Sequence, residues 1–247
     1  MTLGDPPAAW GPEFLDWFRR ETEAAWEGYE PHDYGDPGAP GGLDWQPGTR
    51  WRGGLTEARI QHAERRFKVR FSPPHRLFLS TLHTADRPML GFLFTKEGPK
   101  APASRQEPYD WSGDAAPIEE ALAWPLQGTL FDVEHNVLWL EEWGKRPAGA
   151  EARAETVRAA LAKAPPLVPL YGHRYAPSDP VKGAVPVLSV YQTDIIVYGS
   201  DFRHYLLTEF AELLGLDRDA VDRAGFTKDG PRVADLPVWG RLAASRD

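Results

Sequence analysis

The chain has 247 residues, 42% of them hydrophobic, and no cysteine, which is enough apolar material for a substantial core but excludes disulfides and thiolate metal sites and makes a reducing compartment the simplest home. A formal charge of −8 has the wrong sign for a protein that gains affinity by neutralising phosphates, so direct nucleic-acid binding is not expected. The N-terminus lacks a basic segment followed by an apolar one, and no apolar run reaches the roughly 18 residues of a membrane span, so the expectation is a cytoplasmic protein with no membrane contact.

In chain order, residues 12–27 read as a helix begun by Pro12, with Phe14, Leu15, Trp17, Phe18 and Trp26 giving it a broad apolar surface. That surface must pack on the main domain across the Pro/Gly-rich stretch 31–54, or on a partner. In LTEARIQHAERRFKVRFSPPHRLFLSTL, residues 55–82, Thr56 can cap a helix whose Ile60, Ala63 and Phe67 share one face. Lys68 to Phe71 makes an extended link, and Ser72 with Pro73 and Pro74 starts a second helix that buries Phe78, Leu79 and Leu82. Residues 95–117 carry repeated Pro, Gly and Asp around Trp111 and no apolar period. Pro117 to Trp124 reads as a short helix, followed by a hairpin of Thr129–Val133 and Val137–Leu140 turning through Glu134, His135 and Asn136.

Residues 149–164 form a charged helix with Val157, Ala160 and Leu161 on one side, stopped by Pro165 and Pro166, after which Leu167 to Leu170 is extended. Val187–Tyr191 and Ile195–Tyr198 are β-branched and aromatic runs around Gln192, Thr193 and Asp194, the pattern of two antiparallel strands. Gly199 breaks the second strand. Ser200 or Asp201 can cap a helix carrying Phe202, Tyr205, Leu206, Phe210 and Leu213, with Gly215 as its stop. The tail 216–247 has short apolar pieces that should wrap the surface. Helices early, strands later and a closing helix favour an α+β fold: a curved, largely antiparallel sheet with flanking helices and an N-terminal helical extension.

Three blocks carry a resemblance: Glu64, Phe71, Pro73 and Pro74 in the first, FDVEHNVLWLEEWG at 131–144, and LYGHRYAP at 170–177 with GAVPVLSVYQTDIIVYGSDF at 183–202. Together they resemble the SUKH superfamily, in the bacterial branch named after the fungal Smi/Knr cell-wall assembly regulators, over roughly residues 51–215. Many members follow the second helix with an Asn-Gly pair where this chain has His83 and Thr84. The division implied is 1–50 as N-terminal helix and linker, 51–215 as the SUKH-like domain, and 216–247 as a tail packed on it. The resemblance implies binding and no catalysis, cofactor or metal. Bacterial members are associated with immunity proteins that neutralise a toxin, commonly a nuclease, by covering its active surface; fungal members act as regulatory scaffolds. The expected function is a toxin-neutralising, non-catalytic protein-binding module, with a regulatory adaptor as the alternative and an unrecognised hydrolase third.

Asp132, Glu134, His135, His173 and Asp194 are oxygen and nitrogen groups that could converge on a cation, but they follow no metal-site spacing and suit turns equally well. His173 and Arg174, between Tyr171 and Tyr175, could bind an anion or anchor a partner; alternatively Arg174 pairs with an internal acid such as Asp194 while His173 bonds a backbone carbonyl. The ten tryptophans with Asp132, Glu134, Glu141 and Glu142 invite a glycosidase reading, although alternation puts Trp139 with Val137 on a core-facing side. Nucleotide-binding loops and the Gly-x-Ser-x-Gly hydrolase motif are missing. For a protein partner, the candidates are Glu141, Glu142 and Asp201 as an acidic rim, Trp143 and Tyr175 as aromatic anchors, and the His173–Arg174 pair.

Overall fold

The computed structural model describes residues 4–36, 40–95 and 98–245; positions 37–39 of the Pro/Gly-rich linker, and 246 and 247 of the tail, lie outside the described residues. Helix α1 (Pro12–Glu27) buries Phe14, Leu15, Trp17, Phe18 and Trp26. Its face is the centre of an aromatic core: the Phe18 ring meets Phe210 edge-on at 5.0 Å, and Trp26 lies 4.8 Å from Trp45 and 5.4 Å from Trp51. The N-terminal helix therefore packs inside the molecule. The linker that follows contributes structure of its own, a short strand β1 (Gly42–Asp44) whose Asp44 accepts hydrogen bonds from the Tyr29 hydroxyl and from the His32 amide at 2.7 Å.

Helix α2 (Glu57–Phe67) starts where Thr56 caps the Arg59 amide, and ends at Lys68 in left-handed geometry, φ 54°. Glu64 explains the acidic position of this motif. Its carboxylate accepts from the Phe71 amide at 3.0 Å and pairs with Arg76 at 2.7 Å, so one group fixes both the extended link and helix α3 (Pro73–Thr81). His83 then adopts φ 63°, the conformation an Asn-Gly pair would supply more cheaply. Here its buried ring meets part of that cost by accepting the Trp111 amide at 3.1 Å, beside the Asp110 carboxylate at 3.3 Å.

Strands β2 (Met89–Thr95) and β3 (Gly98–Arg105) complete an antiparallel sheet in the order β1-β2-β3. Strands β4 (Leu167–Tyr171), β5 (Arg174–Pro177), β6 (Val187–Tyr191) and β7 (Asp194–Gly199) form a second, four-stranded meander. The expected pairing of β6 with β7 is present, in register Val190 to Ile195 and Tyr191 to Asp194. The fold is α+β and antiparallel, with its strands divided between two sheets. Alternation along the second sheet sends Val168, Ala176 and Val187 into the aromatic core, and Leu167, Tyr175, Leu188 and Val190 into a second core on the opposite face.

The hairpin expected at 129–140 does not form: its first strand, 129–133, lies in the second half of one long helix, α4 (Ala116–His135), which runs through Pro125, and residues 137–140 follow that helix without regular structure. Proline inside a helix has no N–H for the carbonyl four residues back, so the Ala121 carbonyl loses its intrahelical donor. The buried Tyr175 hydroxyl donates to that carbonyl at 2.8 Å. The sequence reads as a short helix ending at Trp124 and a strand at Thr129–Val133, because the donor that lets the helix continue past Pro125 comes from a residue 54 positions beyond Ala121. Beyond it, Gly128 lets the β6–β7 turn lie on the helix; a Cβ there would come within 2.7 Å of the Gln192 Cα.

Helix α5 (Ala150–Leu161) buries only Val157, and α6 (Phe202–Glu209) is capped by Asp201, which accepts the His204 amide at 2.8 Å. The tail does not simply wrap the surface. After α7 (Arg218–Gly225), Leu236, Val238, Trp239 and Leu242, the last two on α8 (Trp239–Ala244), enter the second core, and the Trp239 indole donates to the Pro165 carbonyl at 2.8 Å. No helix among the described residues is long and apolar enough to cross a membrane.

Two measurements check this packing. Phe210, 2% exposed and in ring contact with Phe18, Trp26, Trp45 and Trp51, should cost about 3–5 kcal/mol on replacement by alanine in denaturant titration. Tyr175→Phe should cost about 1–3 kcal/mol by leaving the Ala121 carbonyl unsatisfied, and much less in a Pro125→Ala background, where residue 125 regains its amide. Equal costs in both backgrounds would mean that the hydroxyl does not replace the missing donor.

Candidate functional site

A cleft of about 490 Å³ opens where the end of β3, helix α4, the β4–β5 turn and the end of β6 meet. Helical spacing places Glu120 and Trp124 on one face of α4, while β3 supplies Arg105, the tight turn at Gly172 presents His173, and β6 ends in Tyr191. Trp124 is held by its indole N–H, which donates to the Val190 carbonyl at 3.1 Å, and its ring lies 6.0 Å from Tyr191 at 55°. His173 meets the other side of Tyr191 edge-on at 6.3 Å.

Behind the cleft wall lies Glu107, fully buried, whose Oε1 accepts the Gly172 amide at 2.9 Å and lies 2.7 Å from the Arg105 Nε. Its Oε2 is buried and has no hydrogen-bond partner among the described residues. Burial outweighs the Arg105 charge and pushes the carboxyl up to about 8, which suits an oxygen that needs a proton. His173 moves the other way, lowered to about 4 by burial and then by the positive charges of Arg174 and Arg105. Burial, reinforced by Glu107, pushes the Tyr109 phenol up; Arg105 pulls it down and Glu120 raises it further, so both charges act on this one phenol.

The sequence candidates separate. Arg174 is committed inside the fold: it pairs with Glu209 at 2.8 Å rather than with Asp194, and its guanidinium lies 3.7 Å over the Tyr198 ring. His173 contacts Arg174 through its Nε2 and no backbone carbonyl. Tyr175 is 1% exposed and spends its hydroxyl on Ala121, so it offers a partner no anchor; the exposed tyrosine of this region is Tyr191, which a reading of that residue as strand end and turn neighbour missed. Asp201 is a helix cap, set well away in sequence from Glu141 and Glu142. Of the groups weighed as metal ligands, Asp132 is buried and accepts the Thr193 amide at 2.9 Å and the Asn136 side chain at 2.6 Å, and Glu134 pairs with Arg153. The described residues contain no cluster of metal-ligating side chains.

Ser200, His204 and Asp222 follow one another in hydrogen-bond order, with Ser200 Oγ 3.1 Å from His204 Nδ1 and His204 Nε2 3.2 Å from Asp222. This resembles a nucleophile relay, but the Ser200 hydroxyl donates to the Gly225 carbonyl at 2.7 Å and the Ser200 amide occupies Nδ1 at 3.1 Å. The arrangement fastens α7 to α6.

A second surface lies at the C-terminal end of α4 and beyond. Phe131 is 47% and Val137 73% exposed, and Trp139 and Trp143 pack edge-to-face at 5.2 Å, with Glu141 and Glu142 in a single 3-10 turn between them. Glu141 has no ion pair among the described residues, whereas Glu142 meets Arg241 at 2.7 Å.

Two buried groups contribute to the pH dependence of stability in opposite senses. His75, enclosed among Phe71, Trp111 and Phe202, is lowered by burial from 6.5 to about 3, so the unfolded chain takes up a proton that the folded chain refuses and stability falls as pH drops from about 6.5 to about 3. Glu107 is raised from 4.5 to about 8, so stability falls as pH rises across that interval. Each slope approaches about 1.4 kcal/mol per pH unit, and the two oppose each other between about 4.5 and 6.5. Urea titrations from pH 4 to 9 should show an alkaline decline that Glu107→Gln flattens; an unchanged decline in that variant would show that Glu107 is not its source.

Comparison with known proteins finds no family model, no curated protein and no solved structure that matches this chain.

Proposed function

We propose that this chain is a non-catalytic protein-binding module of the immunity type, which neutralises a toxin domain by stoichiometric capture through the surface at residues 131–143. The observation that carries the reading is that the one segment 131–143 exposes Phe131 and Val137 and also carries Glu141, Glu142 and the packed Trp139–Trp143 pair. Large apolar side chains exposed together are uncommon on a monomer and mark interaction surfaces. Aromatic anchors rimmed by charge are the composition of interface centres. The net charge of −8 commits the partner to a basic face, since opposite charge steers the encounter. The resemblance of the 55–82, 131–144 and 170–202 blocks to the SUKH superfamily supports the same reading.

The test is to express the product of the gene adjacent to this chain's and, where it carries a toxin domain, to measure binding kinetics with that domain across a salt series. Phe131→Ala should speed dissociation about tenfold or more, the effect expected of an interface anchor. Glu141→Lys should mainly slow association and flatten its salt dependence. Absence of a complex at micromolar concentrations would leave the regulatory adaptor as the better reading, and turnover of nucleic acid or ester substrates by the purified protein would refute a non-catalytic role.

A further inference from the structure

The cleft between β3 and α4 shares no residue with the 131–143 surface, and its chemistry points to a different kind of ligand. Its volume, about 490 Å³, falls in the range of small-molecule sites, and it lies at a junction of several elements, where such sites form. Two opposite charges reach it from different elements. Arg105, 46% exposed, uses only its Nε internally, toward Glu107, which leaves both terminal nitrogens without a partner among the described residues. Glu120 is exposed and has neither an ion pair nor a side-chain hydrogen bond among them. Both side chains line the same cleft, with Tyr109 in its wall. His173 adds no charge to it at neutral pH.

A ligand of a single sign would gain at one of these groups and lose at the other, and a neutral ligand would leave both unmatched. Only a dipolar ligand satisfies both. The same cleft is lined by Trp124 and Tyr191, whose rings lie 6.0 Å apart at 55°, and Trp124 is held in place by its bond to Val190. Such an arrangement accepts a third ring by offset or edge contact. We propose that this cleft binds a small zwitterion with an aromatic body, an aromatic α-amino acid in class, with its carboxylate on Arg105, its ammonium on Glu120 and its ring against Trp124 and Tyr191.

Calorimetry at neutral pH and low salt tests this with three probes: L-phenylalanine, 3-phenylpropionate, which lacks the ammonium, and phenethylamine, which lacks the carboxylate. L-Phenylalanine should bind with a Kd below about 1 mM, and each analogue about tenfold more weakly, the loss expected for one charge-assisted contact. Arg105→Gln should abolish the preference for L-phenylalanine over phenethylamine and keep that over 3-phenylpropionate; Glu120→Gln should do the reverse. Both side chains are exposed, and a thermal melt confirms that each variant is folded. No binding of L-phenylalanine at about 10 mM, equal affinity for all three probes, or discrimination that survives both substitutions would overturn the proposal. Each of these results leaves the 131–143 reading intact, because that reading is measured by toxin binding and uses none of the same side chains.

Discussion

The hydrogen bond from the Tyr175 hydroxyl to the Ala121 carbonyl is the contact on which the C-terminal half of the molecule depends. Each partner needs the other. The carbonyl has lost its helical donor to Pro125, and a buried phenol without an acceptor would forfeit a hydrogen bond in a medium where that loss is most costly. Joining them fixes α4 against β5 with little freedom of rotation or slide. The position of α4 in turn places Gly128 under the β6–β7 turn, brings Asp132 to the Thr193 amide, and aims Glu120 and Trp124 at the cleft. A local defect in one helix thus becomes the reference point for a sheet, a turn and a candidate binding site.

The four-stranded sheet is unusual for an antiparallel meander in being covered on both faces over much of its area. This is how a chain with ten tryptophans accommodates them: Trp17, Trp26, Trp45, Trp51 and Trp111 enter the core on one face and Trp239 the core on the other, while Trp10, Trp124, Trp139 and Trp143 are partly buried. Several of the acidic groups drawn inside are committed. Asp44, Glu64, Asp132 and Glu209 each hold two or more elements together, so most of the acidic residues that look reactive in the sequence are structural in the fold. Glu107 differs from these acids, since its Oε2 has no hydrogen-bond partner among the described residues.

The elements legible in the sequence were those whose signals are local. Thr56 and Asp201 capped the helices they preceded, Pro73 began α3, and the runs of 187–191 and 195–198 paired antiparallel as expected, because each depends on residues a few positions apart. What could not be read depended on distant partners. Helix α4 survives its proline through Tyr175, the tail finds its place through a core built by β4 to β7, and Arg174 chooses Glu209 over the nearer acids. The site followed the same rule. Glu141, Glu142 and Trp143 lie at a surface as their composition suggested, but the cleft is assembled from four segments spread over residues 104–191, and no single stretch announces it. Arg105 and Glu120 are ordinary residues in the sequence and become a dipolar pair only when β3 and α4 converge.

The burial of α1 also has a consequence for how the molecule is made. Phe18 meets Phe210 across about 190 residues of chain, and Trp26 meets the same ring. At a synthesis rate of roughly 5–20 residues per second, the apolar face of α1 leaves the ribosome about 10–40 seconds before its principal partner has been made. During that interval Phe14, Phe18 and Trp26 have no native surface to cover them, although the early aromatics Trp45, Trp51 and Phe78 arrive sooner and can shelter part of the face. The nascent chain must therefore hold the aromatic face of α1 in reserve, a demand on folding that the finished structure conceals.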